Sequence, residues 1–168
     1  MLICLNAGHT SSGYGYGAVG HMDESKEARK VVKALKGYLE AKGHKVVLNN
    51  IDKATSQNAY LKQVVSDANK SKCDLFVSIH FNAGGGNGCE VYTWKGRKYS
   101  SAVGVCDELN KLGFRNRGVK DGSSFYVIKK TTMEAMIIEI CFVDTLKDYE
   151  LYKKLGVSKV AKAIADGI

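Results

Sequence analysis

Proline is absent from this chain of 168 residues, and no apolar run is long enough to cross a membrane. Without proline there is no proline-rich linker to mark a domain boundary, so we expect residues 1–168 to form one domain without membrane insertion. The N-terminal sequence MLICLNAGH lacks the basic and long apolar segments of a signal peptide. We therefore expect synthesis in the cytoplasm.

Paired cysteine motifs are also missing. The five cysteines are far apart in sequence and none belongs to a C-x-x-C pair: Cys4, Cys73, Cys89, Cys106 and Cys141. This spacing excludes a zinc ribbon and gives no sign of a disulfide framework. We expect buried free thiols in a reducing compartment.

Charge is abundant but is not clustered. Lys and Arg number 25 and Asp and Glu 17, which gives a net charge of +8 and favours anionic partners such as nucleic acid, acidic lipid or an anionic cell wall. The lysines are scattered along predicted helices, and no basic stripe or nucleic-acid-binding motif is present. We therefore expect no nucleic-acid partner.

Common nucleotide and hydrolase motifs are missing as well. There is no phosphate-binding loop ending in Gly-Lys-Ser/Thr and no G-x-S-x-G motif around a serine nucleophile. The glycines of GYGYG, residues 13–17, do not have the spacing of a dinucleotide-binding loop. We expect this loop and the GGGNG loop, residues 84–88, to frame a shallow groove.

Apolar strand-like segments alternate with helix-like segments along the whole chain. This alternation predicts an α/β fold with a mainly parallel sheet. The predicted strands are 2–6, 44–49, 74–81, 89–94, 125–130 and 135–142, and the predicted helices are 24–42, 55–71, 97–112 and 146–167, the last broken near Gly156.

Four chemically capable side chains fall near strand ends. His9 directly follows the first predicted strand, His80 closes the third, Glu24 opens the first helix and Glu139 lies late in the last strand. In open α/β sheets, functional crevices lie beyond the carboxyl ends of the strands. Two imidazoles and one carboxylate there could form a zinc site of the His₂Glu type, with a fourth position for water.

Structural roles for the same residues stay open on spacing alone. A single histidine at a strand end is usually a hydrogen-bonded structural residue. Asp23 and Glu27 compete with Glu24, which could be a first-turn acid favoured by the helix dipole. Glu139 could be the buried ion-pair partner of a lysine.

Six sequence blocks in order carry a family resemblance. They are LNAGH, AKGHKV at the end of the helix that Glu24 opens, DLFVSIHFNA, GCEVYT, NRGVK followed by FYVIKKT, and MIIEICFVD. This chain resembles zinc-dependent N-acetylmuramoyl-L-alanine amidases of the type 3 family, which occur in bacterial autolysins and in phage or prophage endolysins. The resemblance covers nearly the whole chain.

The resemblance implies a role for each matching residue. It implies one Zn²⁺ per chain bound by His9, Glu24 and His80, and Glu139 as the catalytic base. Asn82, Ala83 and His21 are our expected substrate contacts.

The resemblance also implies a fold and an activity. The fold is a six-stranded, mostly parallel mixed sheet flanked by helices on both faces. The activity is hydrolysis, by zinc-activated water, of the peptidoglycan amide that joins N-acetylmuramic acid to L-alanine. The enzyme would be made in the bacterial cytoplasm and act on the cell wall, and no separate wall-binding module is visible. The alternatives are a zinc peptidase cutting within the stem peptide and a non-catalytic module that binds the wall.

Overall fold

A six-stranded mixed sheet organises the protein. The computed structural model describes residues 1–168. The strands are β1 (Leu2–Ala7), β2 (Lys45–Leu48), β3 (Leu75–Asn82), β4 (Cys89–Thr93), β5 (Asn116–Asp121) and β6 (Glu134–Phe142). Their order in the sheet is β2-β1-β3-β6-β4-β5. The first four in this order are parallel, whereas β4 pairs antiparallel with β6 and parallel with β5. The predicted mostly parallel, mixed sheet is thus confirmed.

Helices cover both faces of the sheet, as expected. They are α1 (Glu24–Ala41), α2 (Gln57–Ser71), α3 (Ser100–Lys111), α4 (Tyr126–Lys130) and α5 (Leu146–Gly167). The larger apolar core lies between the sheet and α1, α3 and α5, and a smaller one lies under α2 and α4. None of these helices combines the length and the apolar composition that a membrane crossing requires.

Local contacts and backbone geometry explain two helix ends and confirm the predicted break near Gly156. Ser56 caps α2 by accepting a hydrogen bond from the N–H of Ala59, at 3.0 Å. Gly43 follows the end of α1 with a φ of 85°, and Gly156 breaks the last helix with a φ of 76°. Both glycines adopt the left-handed conformation that other residues rarely take.

One predicted strand is wrong, and one observed strand was missed. Residues 125–130 do not form a strand, because Tyr126–Lys130 is a short helix that buries Val127 and Ile128 against α2. A short apolar run does not distinguish these two structures. The missed strand β5 lies at the sheet edge with the sequence NRGVKD, so it carries no apolar alternation. The predicted helix 97–112 begins later, at Ser100.

Two aspartates hold the loop that contains GGGNG. The carboxylate of Asp144 accepts hydrogen bonds from the backbone N–H groups of Gly84 and Gly85, at 2.7 and 3.0 Å. Buried Asp148 accepts from the N–H groups of Gly88 and Phe142, at 2.8 and 2.9 Å. Asp148 therefore joins this loop to the end of β6.

We expect the Asp148→Ala substitution to lower the free energy of unfolding by about 2–4 kcal/mol, because it leaves two buried N–H groups without an acceptor. Asp148→Asn retains one oxygen acceptor and should cost less. The measurement is urea unfolding. Asp166→Ala, which breaks only an exposed ion pair with Lys162, is the control and should change stability by less than about 0.5 kcal/mol. Equal losses in the two alanine variants would contradict the role given to Asp148.

Candidate active site

The structure brings His9, Glu24, His80 and Glu139 to one cavity at the carboxyl edge of the parallel strands. His9 lies just beyond β1, and His80 and Glu139 are cross-strand partners in β3 and β6. Glu24 is the first residue of α1. The cavity has a volume of about 490 Å³, and all four side chains line it.

The Glu24 carboxylate lies between the two imidazole rings. Its Oε1 is 3.2 Å from Nε2 of His9 and 3.1 Å from Nδ1 of His80. Backbone N–H groups of Phe81 and Ala18 donate to its two oxygens, at 3.1 and 2.9 Å. Glu24 is therefore held in place by β3, through Phe81, and by the loop before α1, through Ala18.

The two acidic rivals of Glu24 are engaged elsewhere. Asp23 caps α1 by accepting from the N–H of Lys26, at 3.2 Å. Glu27 pairs with Lys30 and accepts a hydrogen bond from the hydroxyl of Tyr152. Neither side chain lines the cavity.

The hydrogen-bond partner of His9 determines which ring nitrogen carries the proton. Nδ1 of His9 lies 3.0 Å from the backbone oxygen of Gly15. Since a carbonyl oxygen only accepts hydrogen bonds, Nδ1 must carry a hydrogen. In the neutral ring this leaves Nε2 with a free lone pair facing Glu24.

A hydrogen-bond relay fixes His80 in the same way. The Ser78 hydroxyl donates to Oδ1 of Asn6 at 2.7 Å, and Nδ2 of Asn6 donates to the backbone oxygen of Asn49 at 2.6 Å. Ser78 Oγ is therefore the acceptor for Nε2 of His80, at 3.0 Å. In the neutral His80 ring, Nδ1 has a free lone pair, which also faces Glu24.

Three acceptor groups thus point at one another. The ligand atoms of His9, Glu24 and His80 lie within 4.8 Å of one another. Two lone pairs and a carboxylate at this separation repel unless a cation or a proton lies between them. Two imidazole nitrogens and one carboxylate oxygen are the donor set of catalytic zinc sites, so these residues fit a zinc ion.

The same arrangement shifts the pKa values of the three groups. Burial alone would raise the pKa of Glu24, but His80 and His9 hold it well below its usual range. Burial alone would lower the pKa of His9, but the carboxylate of Glu24 raises it. For His80, burial prevails and the pKa is lowered. Protons therefore compete with a metal ion mainly at His9.

Glu139 has a different environment. Its Oε2 is buried and has no hydrogen-bond partner, and no lysine or arginine forms an ion pair with it. The alternative of a buried ion pair with a lysine is therefore excluded. Burial raises the pKa of Glu139 well above its ordinary value, and the carboxylates of Glu24 and Glu90 raise it further.

Glu90 is a buried carboxylate that our sequence analysis missed. It lies opposite Glu139 in the antiparallel β4–β6 pair. Arg117 pairs with its Oε2 at 2.8 Å, and Asn82 and Tyr92 donate to its Oε1 at 2.8 and 2.9 Å. Two facing carboxylates thus differ in their partners, since Glu90 is compensated and Glu139 is not.

The walls of the cavity differ from the expected groove. They come from α2, through Gln57, Tyr60 and Leu61, and from the segment 124–127, while neither the 13–17 loop nor the 84–88 loop lines the cavity. The two loops predicted to frame a groove therefore do not form the walls of this cavity, and Asp144 and Asp148 hold the second loop against the start of α5.

The three expected substrate contacts lie in different places. Asn82 and Ala83 line the cavity. His21 does not line it, because its ring stacks on Tyr149 with 5.7 Å between the centroids. Its backbone N–H also donates to the oxygen of Val143, at 2.8 Å.

Comparison with known proteins identifies the family of the chain. The family model described as N-acetylmuramoyl-L-alanine amidase matches residues 3–168. The chain belongs to this family. Among solved structures, the family member resembles the catalytic domain of the CD27L endolysin targeting Clostridia Difficile, with a TM-score of 0.91 and 31% identity over 99% of this chain and 96% of that one. It also resembles amidase AmiC2 of Nostoc punctiforme, with a TM-score of 0.85 and 28% identity over 100% and 94% of the two chains.

Sequence relatives are longer than this family member. It is 35% identical to an uncharacterized protein of Clostridium perfringens, in an alignment of 176 positions that covers 100% of this chain and 51% of that protein. The N-acetylmuramoyl-L-alanine amidase CwlM of Bacillus licheniformis is 32% identical over 99% of this chain and 66% of its own length. The endolysin of Bacillus phage SPP1 is 31% identical over 99% of this chain and 64% of its own length. This chain thus spans about half to two thirds of these relatives.

Two positions next to the site have no room for a side chain, which explains why glycine occupies them. A Cβ atom on Gly8 would lie 2.3 Å from the ring of His80, and one on Gly17 would lie 2.7 Å from Oε2 of Glu24. Both distances are shorter than real Cβ atoms permit. The absence of side chains at these positions lets the three acceptor groups approach one another.

We expect Gly8→Ala to weaken zinc binding by at least about 10-fold while the protein stays folded, because the new methyl group displaces the His80 ring from Ser78. Competition with a chromophoric chelator measures the affinity, and circular dichroism checks the fold. Gly37→Ala is the matched control, since a Cβ on Gly37 meets nothing within 4 Å. An unchanged affinity in Gly8→Ala would contradict the close packing described here.

The raised pKa of Glu139 gives a second expectation. The folded protein favours the protonated form of Glu139. This contribution to the free energy of unfolding is complete below the unfolded pKa of about 4.3, and it is lost as pH rises through the higher folded pKa. In metal-free protein, Glu139→Gln should therefore gain stability relative to the parent between pH 4 and pH 8. Urea unfolding with chelator at both pH values tests this, with Glu134→Gln, at an exposed position of the same strand, as the control. A difference that does not depend on pH would contradict the assigned burial.

Proposed function

We propose that this domain, residues 1–168, is a zinc-dependent N-acetylmuramoyl-L-alanine amidase. Its substrate is peptidoglycan, and the bond cleaved is the amide between N-acetylmuramic acid and L-alanine. His9, Glu24 and His80 hold one Zn²⁺, and Glu139 is the catalytic base. The observation that carries the proposal is the convergence of three acceptor groups beside a buried carboxylate with an unpaired oxygen.

Each residue has a distinct task in this reaction. When bound, zinc lowers the pKa of water towards neutrality and polarises the amide carbonyl. Glu139, with Oε2 unpaired and a raised pKa, accepts a proton from the attacking water and returns it to the leaving amine. Glu24 stays ionised at neutral pH, because the two histidines keep its pKa low.

The surroundings of the site support a polymeric substrate. Asn82 and Ala83 line the cavity two and three residues after His80, and the Asn82 side chain donates to Glu90 and accepts from the N–H of Ala83. Tyr60, Leu61 and Phe125 contribute largely apolar side chains to the cavity wall. The net charge of +8 favours association with an anionic cell wall. Names of relatives, an amidase and an endolysin, agree with this substrate.

Mass spectrometry of digested peptidoglycan tests the proposed bond. An amidase releases intact stem peptides and leaves free lactyl groups on the sugar, whereas a zinc peptidase cuts within the stem peptide. A wall-binding module without activity releases neither product. Elemental analysis of the same preparation should give one zinc per chain. The proposal fails if peptides are cut internally or if no metal is bound.

Glu139→Gln separates the base from the metal site. The variant retains the shape of the side chain but accepts no proton, so turnover should fall by about 10²–10⁴-fold with zinc content unchanged. Zinc content, melting temperature and amidase rate are measured on one sample. Glu134→Gln is the control on the same strand and should retain full activity. A zinc-loaded Glu139→Gln variant with normal turnover would overturn the assigned role.

A further inference from the structure

We infer that Arg29 is a positioning residue for the metal ligand His9. The inference rests on the proposed zinc site and concerns how this chain keeps one of its ligands in place. Arg29 lies on α1, the helix that begins with Glu24, and does not line the cavity. It therefore acts through His9 and not on the substrate.

His9 needs external support because its backbone is unfavourable. Its φ of 68° is in the left-handed region, and only three non-glycine residues of the protein adopt a positive φ. A residue with a Cβ atom persists in this region only when its surroundings fix it. The ring of His9 has only the oxygen of Gly15 and the carboxylate of Glu24 as polar partners, so the contacts of the backbone matter.

The guanidinium group of Arg29 supplies that support. Its Nη2 donates to the backbone oxygen of His9 at 3.2 Å and to that of Ile51 at 3.1 Å. Its Nη1 donates to the backbone oxygen of Ser25 at 3.1 Å. Asp52 pairs with the same guanidinium at 3.2 Å, and only 20% of the arginine side chain is exposed. One planar group thus joins the His9 loop, the start of α1 and the 51–52 segment.

A second contact ties the same loop to the same segment. The backbone oxygen of Asp52 accepts from both the N–H and the hydroxyl of Ser11, at 3.0 Å each. His9 and Ser11 are therefore both held against residues 51–52, and Arg29 connects that pair to α1. Arg29 thus links the loop that carries His9 to the helix that begins with Glu24.

Lysine cannot reproduce this arrangement. The fork of arginine presents several N–H donors in fixed directions, whereas the ammonium of lysine is a single flexible point charge. In Arg29→Lys the charge near Asp52 remains, but the three carbonyl contacts cannot all be made from one nitrogen. The lysine variant therefore separates positioning from simple charge compensation.

The test measures zinc affinity by competition with a chromophoric chelator, together with the melting temperature of the chelated protein. We expect affinity to fall by about 10–100-fold in Arg29→Gln, the usual effect of removing a group that orients a ligand. Arg29→Lys should lie between Arg29→Gln and the parent. Lys42→Ala is the matched control. It also removes a hydrogen bond from a charged side chain to a backbone oxygen, because Lys42, just after α1, donates to the oxygen of Ala165. We expect it to leave zinc affinity within about twofold of the parent.

The possible outcomes are distinct. Lower melting temperatures with unchanged zinc affinity in both Arg29 variants would show a purely structural role and overturn the inference. If Arg29→Gln does not fold, a zinc affinity of Arg29→Lys equal to that of the parent would by itself overturn the inference. A parent protein that binds no zinc would overturn the proposed function itself, which is a different result from a zinc-binding parent with insensitive variants.

Discussion

The meeting of three acceptor groups, which repel one another unless a proton or a cation lies between them, is the constraint on which the rest of this structure depends. Two imidazole lone pairs and the Glu24 carboxylate face one another at 3.1 and 3.2 Å. The fold holds them there with neutral partners: backbone N–H groups on Glu24, a carbonyl on His9 and a serine hydroxyl on His80. These partners fix the directions of the three groups, so the space between them can take a proton or a cation.

Neighbouring carboxylates in this protein differ in chemistry because they differ in partners. Glu24 is kept ionised by two imidazoles, and Glu90 is compensated by Arg117 and two further donors. Glu139, between them, has none of these and has a raised pKa. The paired acids provide a negative field, and the unpaired acid can exchange a proton. Assigning roles by environment in this way requires the sheet register, which places Glu90 and Glu139 opposite each other.

The meeting of His9 and His80 could be predicted from their positions in the sequence, whereas the choice of Glu24 over Asp23 and Glu27 came from the family resemblance and the supporting contacts could not be predicted. His9 and His80 follow apolar strands whose carboxyl ends share one edge, so sequence order alone placed them together. Strand β5 was missed because an exposed edge strand needs no apolar alternation, and helix α4 because its apolar run is short. The importance of Gly8 and Arg29 depends on atoms far away in sequence, and no local pattern reports such contacts.

The position of β6 has a consequence for the order in which the protein is assembled. Although β6 is the last strand in sequence, it lies between β3 and β4 and joins the two parts of the sheet. A ribosome-bound chain that ends before residue 134 contains His9, Glu24 and His80 but has no central strand and no Glu139. Such long-range closure is late and slow compared with local helix formation. Assembly of the candidate site therefore coincides with completion of the sheet, so partly made chains have neither.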